Sequence, residues 1–232
     1  ALGIYHERAI QQAFIDHDWF IRMWNIFYGS FHFIVPIAVL VLLWTRSGRA
    51  YRLWRNTVVA TTLLGLIGFS TFPLMPPRLL CECEYGSGVP HGYVDTLATL
   101  GGLWSFDSGG MAAISNQYAA MPSLHVAWAL WCAAAAMAVA RTRWVRVAVW
   151  AYPVATTFAV VVTANHYILD AVGGAAVLVV GYGIARVVEA VGDRRRSHAG
   201  PVATGGDSPR IVTGLQHGAT VEPLPHETSG NP

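Results

Sequence analysis

Five long apolar runs constrain the fold of this chain more than any other feature of its sequence. They cover residues 26–44, 57–74, 124–140, 147–163 and 168–191. Each run approaches the roughly 20 residues that a helix needs to cross a bilayer. Because main-chain N–H and C=O groups find no water in hydrocarbon, such runs must be helical. The sequence therefore predicts an all-α integral membrane protein.

The composition also indicates a membrane protein, and it argues against nucleic-acid binding and a metal site. Hydrophobic residues make up 54% of the chain and charged residues only 12%, which is more apolar than a soluble domain. All 15 basic residues are arginine, and they are spread over several connections rather than clustered on one open face, so no nucleic-acid partner is expected. Three cysteines, Cys81, Cys83 and Cys132, form neither a disulfide framework nor a strong metal motif. No metal and no other cofactor is expected.

The arginines predict the orientation of the helices. The basic residues are Arg46, Arg49, Arg52 and Arg55 in the first connection, Arg141, Arg143 and Arg146 in the third, and Arg194, Arg195 and Arg196 after the last run. The second connection, residues 75–122, carries one arginine against four acidic residues. Because basic connections face the cytoplasm, the second connection and the Asn165-His166 turn are predicted on the outer side of the cytoplasmic membrane.

The chain divides into three predicted parts. Residues 1–24 mix charged and apolar side chains, which favours an interfacial amphipathic helix. Residues 25–191 hold the apolar runs and form the membrane domain. Residues 192–232 are rich in Gly, Pro, Ser and Thr without periodicity, which predicts a disordered cytoplasmic tail.

Two histidines each open an apolar run, so both are predicted at the same membrane boundary. His166 and Asp170 are four residues apart, which places them on one face of a helix within hydrogen-bonding reach. A carboxylate on one imidazole nitrogen fixes the tautomer and leaves the lone pair of the other nitrogen free for attack on phosphorus. A purely structural His–Asp pair is the alternative. Ionisable residues in membrane segments are costly and mostly functional, which favours catalysis.

The second histidine belongs to the segment Met121-Pro-Ser-Leu-His125. Pro122 suits the first turn of a helix, and Ser123 and His125 would then lie in that turn. Free main-chain N–H groups there, together with the Ser123 hydroxyl, predict a phosphate-binding site. His125 can protonate a departing alkoxide as a general acid. The alternative is an interfacial helix start that contains these residues without a catalytic role.

Arg78 is the third candidate, since it is the only arginine of the long outer connection. A fixed guanidinium matches the charge and shape of a phosphate transition state. The alternative is an interfacial arginine that contacts lipid head groups.

Other polar residues rank lower. His32 lies inside the first run and is interpreted as a packed helix histidine, and His91 is interpreted as a loop residue. Candidates for recognising the hydroxyls of an acceptor, among which the sequence does not choose, are Asp95, Asp107, Asn116 and Gln117.

At these positions the chain resembles the type-2 phosphatidic acid phosphatase superfamily, whose signatures are Lys-x6-Arg-Pro, Pro-Ser-Gly-His and Ser-Arg-x5-His-x3-Asp. The segment Pro122-Ser123-Leu124-His125 matches the second signature with Leu in place of Gly. His166 and Asp170 match the end of the third, whose Ser-Arg pair is absent. The first signature is reduced to Pro76-Pro77-Arg78, without its lysine.

These departures make the chain similar to the inositol phosphorylceramide synthase branch, over residues 27 to 188. The resemblance implies a six-helix transmembrane bundle, of which five helices are evident, and a sixth before Ala1 would complete it. It also implies a phosphohistidine at His166, oriented by Asp170, with His125 as acid and then base. The implied substrate is a membrane lipid phosphoester, and no metal is required.

The acceptor separates the remaining hypotheses. Transfer of a phosphoinositol-type head group to an alcohol is the first, and hydrolysis of a lipid phosphate or polyprenyl phosphate by water is the alternative. Vanadate-dependent haloperoxidases share the superfamily but are soluble and richer in site cations. A non-catalytic lipid-binding membrane protein is the hypothesis from a different class. The sequence does not give the oligomeric state.

Overall fold

The computed structural model describes residues 6–80, 92–102 and 120–198, and the regular structure in these residues is helical. In chain order the elements are α1 (Glu7–Phe14), α2 (Asp18–Arg46), α3 (Gly48–Thr71), a 3-10 turn (Pro77–Leu79), α4 (Thr96–Leu100), α5 (Leu124–Met137), α6 (Arg143–Ala148), α7 (Ala151–Val162) and α8 (Ile168–His198). The predicted all-α fold is confirmed.

Three of the five predicted spanning runs lie in stretches long and apolar enough to cross a membrane, and two do not. The stretches long and apolar enough to cross a membrane are Asp18–Arg46, Arg143–Val162 and Ile168–Arg195. Run 57–74 lies mostly in α3, which ends at Thr71 and whose first half carries arginines and is therefore less apolar. Run 124–140 lies mostly in α5, which ends at Met137 after 14 residues. At 1.5 Å per residue α5 is roughly 21 Å long, shorter than the hydrocarbon core.

Helix α5 is the centre of the bundle and packs against α2, α3, α7 and α8. Its alanine-rich sequence lets these neighbours approach closely, and Trp131 is the large side chain buried among them. The Trp131 indole N–H donates to the Trp54 carbonyl oxygen at 2.8 Å, which satisfies the polar atom of this ring. The outer helices expose large apolar side chains such as Ile37, Leu63 and Val179, as expected of lipid-facing surfaces.

Helices α3 and α8 form the most extensive pairing of the bundle, and glycine permits it. A Cβ on Gly181 would collide with Thr61, whose main-chain nitrogen would lie at 2.9 Å. A Cβ on Gly174 would collide with the main-chain oxygen of Ser123 at the start of α5. Close approach between membrane helices depends on such small residues.

Helix α1 is tied to the bundle through buried polar side chains. The Gln11 amide pairs with the main chain of Val94, donating at 2.8 Å and accepting at 3.0 Å. Glu7 Oε1 accepts from the Ile168 amide at 2.9 Å, at the beginning of α8. The interfacial character of residues 1–24 stays a prediction, although two polar residues of this segment face protein.

The predicted part boundaries fall inside helices. Helix α2 begins at Asp18, so the boundary between residues 24 and 25 lies within it. Helix α8 continues to His198, past the predicted start of the tail at Gly192. Arginine is a good helix former and suits a helix C-terminus, which explains the extension. Residues 199–232 lie outside the described residues.

Candidate active site

The fold brings the two predicted histidines together at one end of the bundle. His125 is the second residue of α5, and His166 lies in the turn between α7 and α8. Their ring centroids are 5.6 Å apart. Asp170 occupies the first turn of α8, and His166 and Asp170 are only 4% and 1% exposed. The three predicted catalytic residues therefore lie at one site, in which His166 and Asp170 are buried and His125 is half-buried.

The hydrogen bonds of His166 define its tautomer. Its Nδ1 lies 2.8 Å from the Ala120 carbonyl oxygen and 3.4 Å from Asp170 Oδ2. A carbonyl oxygen can only accept, so Nδ1 must carry a proton. In the neutral ring the lone pair is then on Nε2. From the sequence, Asp170 alone was expected to orient the His166 ring. In the structure the nearer partner of Nδ1 is the main-chain oxygen of Ala120.

Asp170 connects the two sequence motifs. Its Oδ2 accepts from the Tyr167 amide at 2.9 Å, and its main-chain oxygen accepts from the Ser123 amide at 3.0 Å. Its Oδ1 is buried and has no hydrogen-bond partner among the described residues. A carboxylate oxygen without a partner is costly to bury, and positive charge on a neighbouring side chain would reduce that cost. That neighbour is His166.

Ser123 is the N-cap of α5 rather than a residue of its first turn. Its hydroxyl accepts from the Val126 amide at 3.4 Å, while its own amide donates to Asp170. The expectation that Pro122 lies in the first turn is wrong, because the helix begins after the capping serine. Among the amides of this turn, those of Leu124 and His125 have no acceptor in the described part of the chain. Phosphate binding by Ser123 stays a prediction.

His32 was missed as a neighbour of the site. The His125 ring stacks on Tyr28 at 4.4 Å and meets His32 edge-on at 4.4 Å. His32 Nδ1 donates to the Tyr28 carbonyl oxygen at 2.7 Å, since that oxygen can only accept. His32 is a packed helix histidine as predicted, but the residue on which it packs is His125. The spacing of Tyr28 and His32 indicated a shared helix face.

Arg78 lies close to the turn that contains His166 and forms an ion pair with Asp95. Its amide donates to the Ala164 carbonyl oxygen at 2.9 Å, two residues before His166. Its Nη1 lies 2.7 Å from Asp95 Oδ2, and its side chain is 10% exposed. Asp95, left open as an acceptor-binding candidate, also caps the first turn of α4. The Nε of Arg78 is buried without a partner in the described residues.

The described residues form no metal site, and six of the sequence candidates lie outside them. Within residues 6–80, 92–102 and 120–198, no three His, Cys, Asp or Glu side chains are grouped so that they could hold a metal ion. The candidates outside the described residues are Cys81, Cys83, His91, Asp107, Asn116 and Gln117.

Comparison with known proteins gives one result. The family model described as the PAP2 superfamily matches residues 1–184. No curated protein and no solved structure matches the chain. The superfamily is generally enzymatic, and membership suggests a phosphatase-type reaction on a lipid phosphoester. With several apolar helices, the protein is a multi-pass membrane protein. Because the match runs from residue 1 into α8 and covers most of the sequence, the chain belongs to the PAP2 superfamily, the type-2 phosphatidic acid phosphatases.

Proposed function

We propose that this protein cleaves a lipid phosphoester through a phosphohistidine intermediate on His166. One observation carries the proposal: the Ala120 carbonyl oxygen lies 2.8 Å from Nδ1 of His166. That contact requires the proton on Nδ1 and leaves the lone pair of Nε2 for attack on phosphorus. His32 also donates to a carbonyl oxygen from Nδ1, but only His166 has a buried carboxylate, that of Asp170, beside the same nitrogen.

The reaction takes two steps with two histidines. His166 Nε2 forms a bond to phosphorus while the phosphorus–oxygen bond to the leaving group breaks. His125 donates a proton to the departing oxygen. In the second step it takes a proton from the acceptor, whose oxygen bonds to phosphorus while the phosphorus–Nε2 bond breaks. Ring centroids 5.6 Å apart keep both side chains within reach of one phosphoryl group.

Asp170 is proposed as a positioning and charge-stabilising residue. Attack by the neutral ring generates a cationic phosphoimidazole, and Asp170 Oδ2 lies 3.4 Å from Nδ1. Burial of this carboxylate removes water that would screen the attraction. The carboxylate therefore favours the charged intermediate more than the resting state.

Arg78 is proposed to neutralise the phosphate. Its ion pair with Asp95 offers a test, because Arg78→Gln and Asp95→Asn each remove the pair but only the first removes the guanidinium. If Arg78 binds phosphate, Arg78→Gln lowers kcat/KM by roughly 100-fold or more and Asp95→Asn by much less. Equal losses in the two variants would reduce Arg78 to a structural role.

The acceptor is proposed to be an alcohol, with a phosphoinositol-type head group transferred, as the branch resemblance suggests. The arginine-rich connections support a site on the outer face of the cytoplasmic membrane. Hydrolysis of a lipid or polyprenyl phosphate is the other outcome of the same intermediate, because water can replace the alcohol in the second step.

The deciding experiment compares substrates and variants in detergent. Labelled phosphatidylinositol, phosphatidic acid and a polyprenyl phosphate are offered with and without an added alcohol. Free phosphate from a monoester establishes a phosphatase, and label on the alcohol establishes a transferase. His166→Ala and His125→Ala should abolish either activity. His17→Ala, which removes an exposed histidine, should not.

Trapping the intermediate separates catalysis from lipid binding. A histidine–phosphorus bond survives base and breaks in acid, so base-quenched protein should retain label from the substrate. His166→Ala should retain none. Turnover that persists in the double variant of His125 and His166 would reject the mechanism. Lipid binding without turnover of any substrate would favour a binding protein.

A further inference from the structure

Two cavities meet at the end of the bundle opposite the candidate active site. The first, of about 520 Å³, is lined by Met137, Arg141, Arg143, Arg146, Val147 and Trp150. The second, of about 510 Å³, is a groove with an almost entirely apolar lining from α1, α5, α7 and α8. Trp150 lines both, so a cationic cavity and an apolar groove adjoin at this side chain.

The positive charge of the first cavity is not neutralised by described residues. None of its three arginines forms an ion pair with a carboxylate in residues 6–80, 92–102 and 120–198. Helix α6, which carries two of them, has no buried residue. Its Trp144 is 79% exposed, as is typical of a side chain at a membrane boundary. The cavity therefore attracts an anion at the level of the lipid head groups.

The length of the groove indicates what accompanies that anion. Its lining extends along α7 from the N-cap residue Trp150 to Val161, a rise of roughly 16 Å at 1.5 Å per residue. This is about half the hydrocarbon thickness of a bilayer, and thus about one leaflet. A hydrocarbon chain anchored at the arginine cavity would fill the groove, and a soluble anion would leave it empty.

We propose that this junction binds an anionic phospholipid of the leaflet that adjoins α6. The lipid phosphate contacts Arg141, Arg143 and Arg146, and one acyl chain lies along α7 past Val154 and Phe158. The lining contains no carboxylate for the cation of a zwitterionic head group, which selects lipids with net negative charge. The arginine cavity is separated from His125 by the length of α5, so the phosphate of this lipid lies away from the catalytic histidines, although the apolar groove reaches Val126 and Ile168 beside them. In this pose the lipid is a bound component of the protein rather than the substrate.

The first test changes the charge. The full chain is purified in mild detergent, and lipid adducts are titrated by native mass spectrometry with phosphatidylglycerol, cardiolipin and phosphatidylcholine. The triple variant Arg141→Gln/Arg143→Gln/Arg146→Gln should bind the anionic lipids at least tenfold more weakly. A control triple variant, Arg46→Gln/Arg49→Gln/Arg55→Gln, removes the same charge from exposed arginines outside the cavity and should bind as the wild type does.

The results that would overturn the proposal are equal losses in the two triple variants, which would indicate general charge attraction, and equal binding of phosphatidylcholine. Because α6 buries no residue, the cavity variant should unfold at the wild-type temperature. If it does not, the single variants of the three arginines are titrated in its place, and each should still weaken anionic lipid binding.

The second test concerns the acyl chain. Val154→Trp fills the groove and should weaken binding of the anionic lipids several-fold, whereas Val187→Trp on α8, similarly exposed but outside the groove, should not. Inorganic phosphate should fail to displace a bound lipid. Displacement by phosphate, or an unchanged affinity in Val154→Trp, would assign the cavity to a soluble anion and reject the lipid site.

Discussion

Gly174 lies where α8 crosses the start of α5. A methyl group there should lower kcat strongly in a protein that still folds. A Cβ at this position would collide with the Ser123 carbonyl oxygen and lie 3.3 Å from the Ala127 nitrogen. Both are main-chain atoms of the helix start, so no rotamer change can relieve the contact. Since ordinary contact begins at 3.4 Å, the two helices must separate by roughly an ångström at this point.

The magnitude follows from where this separation occurs. His166 and Asp170 move with the start of α8, and His125 moves with the start of α5, so the 5.6 Å between the two rings changes. Overpacking of this kind lowers the free energy of unfolding by about 1–3 kcal/mol. A misplacement of about 1 Å between catalytic groups lowers the rate by roughly 100-fold. For Gly174→Ala we expect kcat to fall by that factor in a protein that still folds.

The assay is steady-state turnover of a lipid phosphoester, measured beside thermal unfolding in the same detergent. Gly173→Ala is the matched control, because its Cβ would meet side-chain atoms of Pro122 and Met121 at 3.4 and 3.5 Å, which is ordinary contact. Gly183→Ala meets nothing within 4 Å and should have no effect on turnover. If Gly174→Ala turned over substrate as fast as Gly173→Ala, the proposed link between this crossing and the site would be refuted.

Three further predictions concern neighbours of the site. Asp170→Asn should lower kcat by roughly 100-fold, less than His166→Ala, because the Ala120 carbonyl still holds the Nδ1 proton; an equal loss in steady-state kinetics would assign the tautomer to Asp170. Glu7→Ala should lower the free energy of unfolding by about 1–2 kcal/mol in a denaturant titration, because the Ile168 amide loses its acceptor, and Glu7→Gln should lower it less. His32→Ala should lower the free energy of unfolding by about 2–4 kcal/mol, because it leaves a gap beside His125. His32→Phe restores the ring packing and should recover most of the stability and the turnover. Failure of this rescue would point to a chemical role for the imidazole.

The sequence predicted the parts of the site that depend on side-chain type and local spacing. Apolar runs located the long helices, and the positions of His125 and His166 at the starts of two runs brought both to one end of the bundle. The spacing of His166 and Asp170 on α8 needed only helix geometry. These inferences depend on short stretches of chain, which is why they could be made without the fold.

The parts that the sequence did not predict depend on which helices pack together. The Ala120 carbonyl has no sequence signature, since every residue carries one. The contact of His32 with His125 required the face of α2 that meets α5, and the pairing of Arg78 with Asp95 required the path of a long connection. The early end of α5 at Met137 was hidden for another reason, because the alanines and valine that follow are as apolar as the helix itself.

The main-chain contact of His166 has a consequence for regiochemistry. An imidazole can in principle be modified at either nitrogen, giving two isomers that differ in chemical stability and can be told apart by nuclear magnetic resonance or isomer-specific antibodies. With Nδ1 committed to the Ala120 oxygen, an electrophile that reaches this ring finds a lone pair on Nε2 alone. Phosphorylating, acylating and alkylating reagents should therefore all yield the Nε2-linked isomer. The identity of that product reports a hydrogen bond that no side-chain substitution deletes.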